Sequence, residues 1–275
     1  MQPGPRAFER FGAVAGQTVV WLFISAALLL LLAPIVVVVW LSFNDASVIT
    51  IPPASYSTRW YANVFEKPEF VPAFWLSLKI AAIVTPLSAI VGTTAAFAMH
   101  RRFSGARLLE VVSYSPLMIP LVVTGIALLF FLNRAGIYSS FWNIVIGHVI
   151  LTFPYVMRSV SIAIARYDQR LDEAAASLGA PPWEVFWRVT LPSIRSGVSI
   201  GALFAFVMSF DEFTVTIFLV GATTQTLPVA VFHYLEWNTD PTISAVSALL
   251  ILLAVLVVFC IDRLFGLNRY VGVSD

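Results

Sequence analysis

The chain has 275 residues, 59% hydrophobic and 11% charged, with a mean hydropathy of +0.89 and a formal net charge of +1. Soluble domains carry roughly a quarter charged residues, so the composition excludes a soluble enzyme and places the chain among integral membrane proteins. The small net charge offers no field for a nucleic acid, and a single cysteine, Cys260, excludes an internal disulfide or a multi-cysteine metal site.

Six stretches reach the ~20 apolar residues that a hydrocarbon core requires. They are Val19–Leu41, Phe74–Ala98, Val111–Leu132, Phe141–Ile162, Val198–Val220 and Ile243–Leu264. An all-α membrane domain over 1–275 is expected, with no soluble domain and no internal repeat. The first run follows Arg6 and Arg10 but exceeds the ~7–15 residues of a signal-peptide core. Trp21 and Trp40 near its ends suit interfacial anchors, so it reads as an uncleaved span. The Pro- and aromatic-rich segment Ser42–Ala73 reads as a short packed structure outside the membrane. Pro34, Pro86, Pro116, Pro120 and Pro154 lie in or beside spans and predict bent helices.

Six spans put both termini on one side. With them lie Arg6, Arg10, Arg101, Arg102, Arg107, Arg166, Arg170, Arg188, Arg195, Arg263 and Arg269; the other side holds only Arg59, Lys67 and Arg134. The positive-inside bias places both termini, and the loop 166–195 between spans four and five, in the cytoplasm. Arg101 and Arg102 are most simply anchors at that surface.

The loop reads DEAAASLGAPPWEVFWRVTLPSI from Asp172. Asp172 is a candidate N-cap, and Glu173 suits a helix start. Gly179 stands where a helix ends in the left-handed region, and Pro181 and Pro182 restart the chain. Trp183, Phe186, Trp187 and Thr190 then follow at i, i+3, i+4 and i+7, which predicts one aromatic face, with Pro192 ending the helix. Spacing alone leaves two readings: a loop that caps its own bundle, or a helix that docks a partner.

Carboxylates at membrane depth cost at least about 2.5–3.5 kcal/mol and usually face a bundle interior or cavity. Asp211 and Glu212 fall near the middle of the fifth predicted span and, as adjacent helical residues, point different ways. They line a path, pair with an arginine, or mark a break in the span. Lys79 either snorkels outward or neutralises one of them. His148, alone in span four, fits a satisfied interhelical hydrogen bond better than a proton relay. His233, Glu236 and Asp240 match no strong metal spacing and suit a solvated outer loop or a surface for a delivery protein. No phosphate-cradling G-x-x-x-x-G-K-[ST] loop exists, because the two lysines, Lys67 and Lys79, precede Pro68 and Ile80.

The loop residues Glu173-Ala174-Ala175, Gly179, Val189, Leu191 and Pro192 resemble the EAA motif of ABC importer permeases. Only Val189 departs from the family pattern, which has isoleucine there. The resemblance covers most of the chain, with its family-like core over about 74–265. It implies the type I importer permease fold with six transmembrane helices and a cytoplasmic coupling helix. Glu173, Ala174, Ala175, Gly179, Trp183, Phe186, Trp187, Leu191 and Pro192 would serve ATPase coupling. It also implies no catalytic residue and no cofactor in this chain. ATP and Mg²⁺ would be bound by a partner ATPase dimer, beside a second permease and an extracytoplasmic substrate-binding protein in a cell inner membrane. The stretch MSFDEFTVTIFLVGATTQTLPVAVF looks like the corresponding part of polyamine (spermidine/putrescine) permeases. That likeness makes Asp211 and Glu212 candidates for a cationic substrate path, and the neighbouring rings of Phe210 and Phe213 can attract ammonium groups. Permeases for phosphonate, opine, thiamine or ferric iron share the outline. Rival classes are an ion-coupled secondary transporter using Asp211, Glu212 and His148, and a membrane scaffold without transport.

Overall fold

Long apolar runs leave backbone N–H and C=O groups no partner but one another, and in hydrocarbon that selects helices. The computed structural model describes residues 5–100, 105–221 and 224–265. Among these residues the chain is helical, apart from loops and two isolated bridges. Arg101, Arg102 and Arg269 lie outside the described residues. The helices are α1 (Pro5–Leu41), α2 (Arg59–Glu66), α3 (Phe70–His100), α4 (Ala106–Met118), α5 (Leu121–Arg134), α6 (Ser140–Arg166), α7 (Arg170–Ser177), α8 (Pro182–Val185), α9 (Leu191–Asp211), α10 (Thr216–Leu219), α11 (Leu227–Trp237) and α12 (Thr242–Phe265). A π-turn, Phe186–Thr190, joins α8 to α9.

Among the described residues, four continuous helices are long and apolar enough to span a membrane: Gln17–Leu41, Phe70–His100, Ser140–Arg166 and Pro182–Asp211. The predicted third span is not one helix. It breaks at Ile119 and Pro120 into α4 and α5, which are bent by 109°. Proline disfavours helical geometry at the residue before it, and Ile119 is extended (ψ 137°). The predicted fifth span is shifted toward the N-terminus. Its helix begins at Pro182 and stops at Asp211, with Glu212 extended and only the short α10 beyond. The sixth predicted span, Ile243–Leu264, lies within α12, Thr242–Phe265.

The chain divides into two compact units. One holds, of the described residues, 5–66 and 237–258. In it α1 is followed by a packed turn. Ser42 Oγ lies 2.6 Å from Tyr61 Oη, Trp60 Nε1 donates to the Asn44 carbonyl at 2.6 Å, and Asn63 Nδ2 donates to Thr242 Oγ1 at 2.8 Å. Ser42 and Asn44 are fully buried, so the polar outer segment is folded.

The other unit holds, of the described residues, 67–236 and 259–265, and α3, α6 and α9 pack together as its centre. Small residues allow this approach. A Cβ on Gly92 of α3 would lie 2.6 Å from Val156 Cβ of α6, and one on Gly201 of α9 would lie 2.7 Å from Val156 Cα. Without a hydrophobic drive between helices in lipid, such close contact supplies the packing energy. Gly201→Ala is therefore expected to lower stability by about 1–3 kcal/mol, the range for overpacking a tight core. A depressed unfolding temperature in detergent, measured against the unaltered permease, checks it.

Two apolar clusters lie along these helices. Ile80, Val84, Ile144, Val145, Leu151, Val215 and Leu219 belong to one; Ala96, Val156, Met157, Val160, Ile164, Ile194 and Ala205 belong to the other. A buried polar belt runs between them. Ser88 Oγ and Thr152 Oγ1 are 2.7 Å apart, and Thr152 donates to the His148 carbonyl at 2.7 Å. His148, fully buried, reaches Ser209 Oγ through Nδ1 (2.9 Å) and Thr216 Oγ1 through Nε2 (2.7 Å).

Candidate functional site

The elbow of α7 and α8 follows from its residues. Ala174, Ala175 and Ala176 favour helix, and α7 buries no residue. Gly179 takes φ +89°, its N–H bonds to the Ala176 carbonyl (2.9 Å), and Ala180 N–H bonds to that of Ala175 (3.2 Å). This paired arrangement closes a helix end, and only glycine takes such a φ without strain. Pro181 is extended and Pro182 opens α8. Glu184 then forms an ion pair with Arg188 at 2.7 Å.

Three expectations for the loop are corrected. Asp172 does not cap α7; it lies in the first turn, and its Oδ1 accepts from Tyr167 Oη (2.6 Å) and Thr190 Oγ1 (2.8 Å). Partial burial and the Asp172 carboxylate push the Tyr167 hydroxyl up to about 12, so it stays a donor at physiological pH. Pro192 does not end the second helix. Leu191 N–H bonds to the Phe186 carbonyl, five residues back, and the widened turn accommodates a proline without an N–H inside a helix that continues to Asp211. The three aromatics do not share one face. Phe186 turns inward against Phe97, with ring centroids 5.6 Å apart, whereas Trp183 and Trp187 remain 67% and 61% exposed.

The acidic pair marks the break in span five. α9 ends at Asp211, and the Glu212 side chain folds back to accept Val215 N–H (2.9 Å) and Thr216 N–H (2.9 Å). Thr216 Oγ1 donates to the same carboxylate at 2.8 Å, and His148 Nε2 lies 3.8 Å from it. Glu212 thus satisfies backbone donors that a broken helix leaves open. It also joins the polar belt. Asp211 is exposed. Beside it, Phe210 stacks on Phe206 and meets Phe74 edge-on, with centroids 6.3 Å and 5.9 Å away. Phe213 contacts Phe232 instead, at 4.8 Å. Lys79 neutralises neither acid; it is exposed, with Nζ 5.1 Å from the Phe141 ring centroid. Asp240 accepts from Thr242 N–H at the start of α12.

Residues 85–268 match the family described as "binding-protein-dependent transport system inner membrane component". The chain belongs to this family. The permease is 36% identical over 230 residues to the putrescine transport system permease PotI of Escherichia coli K12, covering 80% of this chain and 81% of that protein. It is 27% identical over 237 residues to the spermidine/putrescine permease PotC of the same strain (86% and 89% covered). Its identity to the molybdenum permease ModB of Mycobacterium bovis is 36% over 208 residues (70% and 78% covered). Its fold resembles a chain of a bacterial ABC transporter involved in alginate import, with TM-score 0.71, 12% identity, and 97% and 99% of the chains covered. The methionine transporter MetNI gives TM-score 0.57 at 18% identity, with 71% and 94% covered.

The permease is accordingly a membrane component of an ABC importer and not an enzyme. Sequence reasoning about it missed the Asp172 contacts and the capping work of Glu212. Tyr167 and Thr190 carried no signal alone, because neither is near Asp172 by any simple helical spacing. The fold-back of Glu212 was local, with a threonine four residues on, yet glutamate is not among the usual capping types.

Proposed function

We propose that this permease forms half of the membrane path of an ATP-driven importer for small organic polycations of the putrescine class. The 36% identity to PotI over most of both chains carries the cargo class. The exposed Asp211 carboxylate, next to the rings of Phe210, Phe206 and Phe74, suits an ammonium group by charge and by cation–π attraction. Asp211 is the contact residue in this reading; Glu212 and Phe213 hold the turn that presents it.

The elbow docks a separate ATPase. Glu173, Ala174 and Ala175 form its slim edge, Gly179 sets the turn, and Trp183 and Trp187 supply apolar area. Phe186, Leu191 and Pro192 build the joint that links the elbow to α9. ATP and Mg²⁺ belong to the ATPase dimer, cargo arrives on an extracytoplasmic binding protein, and a second, different permease completes the path. The basic residues put both termini in the cytoplasm.

Uptake by the complete importer, expressed in cells lacking other polyamine importers, tests the cargo class. Labelled putrescine should enter in an ATP-dependent manner and be competed by unlabelled putrescine, not by molybdate. Competition by molybdate, or uptake that survives ATP depletion and collapses with the ion gradient, contradicts the reading.

A further inference from the structure

We infer that Asp172, Tyr167 and Thr190 form a clasp that makes the coupling helix α7 and span five move as one body. The inference rests on the docking role proposed for the elbow. The three residues come from three elements: Tyr167 from the end of α6, Asp172 from the first turn of α7, and Thr190 from the last position of the π-turn. Both hydroxyls donate to the same oxygen, Asp172 Oδ1, at 2.6 and 2.8 Å. Hydrogen bonds to an ionised acceptor are shorter and stronger than neutral ones.

The clasp matters because little else fixes α7. The helix buries no side chain, so apolar packing does not hold it. Its other ties include the Gly179 turn, the Arg170 N–H bond to Asp168 Oδ1 (3.0 Å) and a contact of Gln169, just before it, with His100 Nε2 at 2.5 Å. Thr190 is buried, and its hydroxyl lies 3.4 Å from the Val185 carbonyl, five residues back, as the π-turn dictates. A regular α-turn would rotate Thr190 away from Asp172. The widening that admits Pro192 thus also builds the joint. From Pro182 the helix runs 30 residues to Asp211, so a tilt imposed on α7 reaches the broken end of span five as a rigid-body motion.

Spin labels at Ser177→Cys and Val207→Cys, in a Cys260→Ser background of the assembled importer, test this by double electron–electron resonance. With native Asp172 the distance distribution should be narrow, and equal in nucleotide-free and ATP–vanadate-trapped transporters. Asp172→Ala should broaden it at least twofold and shift it on trapping. The pair Tyr167→Phe with Thr190→Val should do the same. Asp172→Asn should stay narrow, because the amide oxygen still accepts both hydroxyls. A narrow, nucleotide-independent distribution in Asp172→Ala and in the double variant would overturn the clasp. Cross-linking of Ser177→Cys to the ATPase is the separate arm: its failure in the unaltered background defeats the docking role, whereas the label distances still decide the clasp.

Discussion

Replacing Trp183 and Trp187 together by alanine is expected to weaken association of the ATPase with the permease by about 100-fold or more. Both indoles protrude from the elbow, at 67% and 61% exposed, and neither holds up the bundle. Aromatic anchors at interface centres cost about 2 kcal/mol or more each on truncation. Two of them give about 4 kcal/mol, and each 1.4 kcal/mol is about tenfold in affinity. The double variant should still insert and fold, because its loss within the chain is the edge-on contact of Trp187 with Phe186 (5.4 Å) on an exposed surface. Phe186→Ala is the contrast. That ring packs on Phe97, so its loss should lower the stability of the permease itself. Co-purification and a titrated dissociation constant for the ATPase separate the two. Unchanged affinity in the tryptophan double variant would move the docking surface elsewhere.

The second large effect is expected at Asp211. Asp211→Asn should reduce kcat/KM for putrescine uptake about 10- to 100-fold, the range that follows from losing one charged hydrogen bond of about 1.5–3 kcal/mol. ATPase assembly should be untouched, since Asp211 is exposed at the far end of α9 from the elbow. Glu212→Gln should behave differently. Its carboxylate accepts from two backbone N–H groups and the Thr216 hydroxyl, so the amide loses acceptor strength inside a turn. Folded yield, more than substrate affinity, should fall. Uptake kinetics paired with size-exclusion yield distinguish the cases, and wild-type kinetics in Asp211→Asn would remove the carboxylate from the path.

What the sequence disclosed and what it hid follow from the range of the interactions. Gly179 was legible because its left-handed turn is a property of a few adjacent residues. Phe186 was misplaced because helical spacing groups it with Trp183 and Trp187 but cannot show that its ring meets Phe97 of another helix. The break at Ile119 and Pro120 was hidden in a hydropathy sum, although proline supplied a local reason for it. The end of α9 at Asp211 was hidden for a similar reason: residues 213–220 remain apolar after the helix has stopped. The polar belt was out of reach. It needs Ser88, His148, Thr152, Ser209 and Thr216 to align across several helices, and no spacing within one helix encodes that. The same holds for Gly92 and Gly201, whose shared neighbour is Val156 of another helix.

The central contact is a foreign ATPase gripping the elbow. Leu178, 90% exposed beside Gly179, allows that contact to be recorded with little disturbance by a near-isosteric diazirine amino acid. Irradiation of the assembled importer should yield a covalent adduct between position 178 and the ATPase, both without nucleotide and with ATP trapped. Adducts confined to the permease's own chain in every state would contradict it.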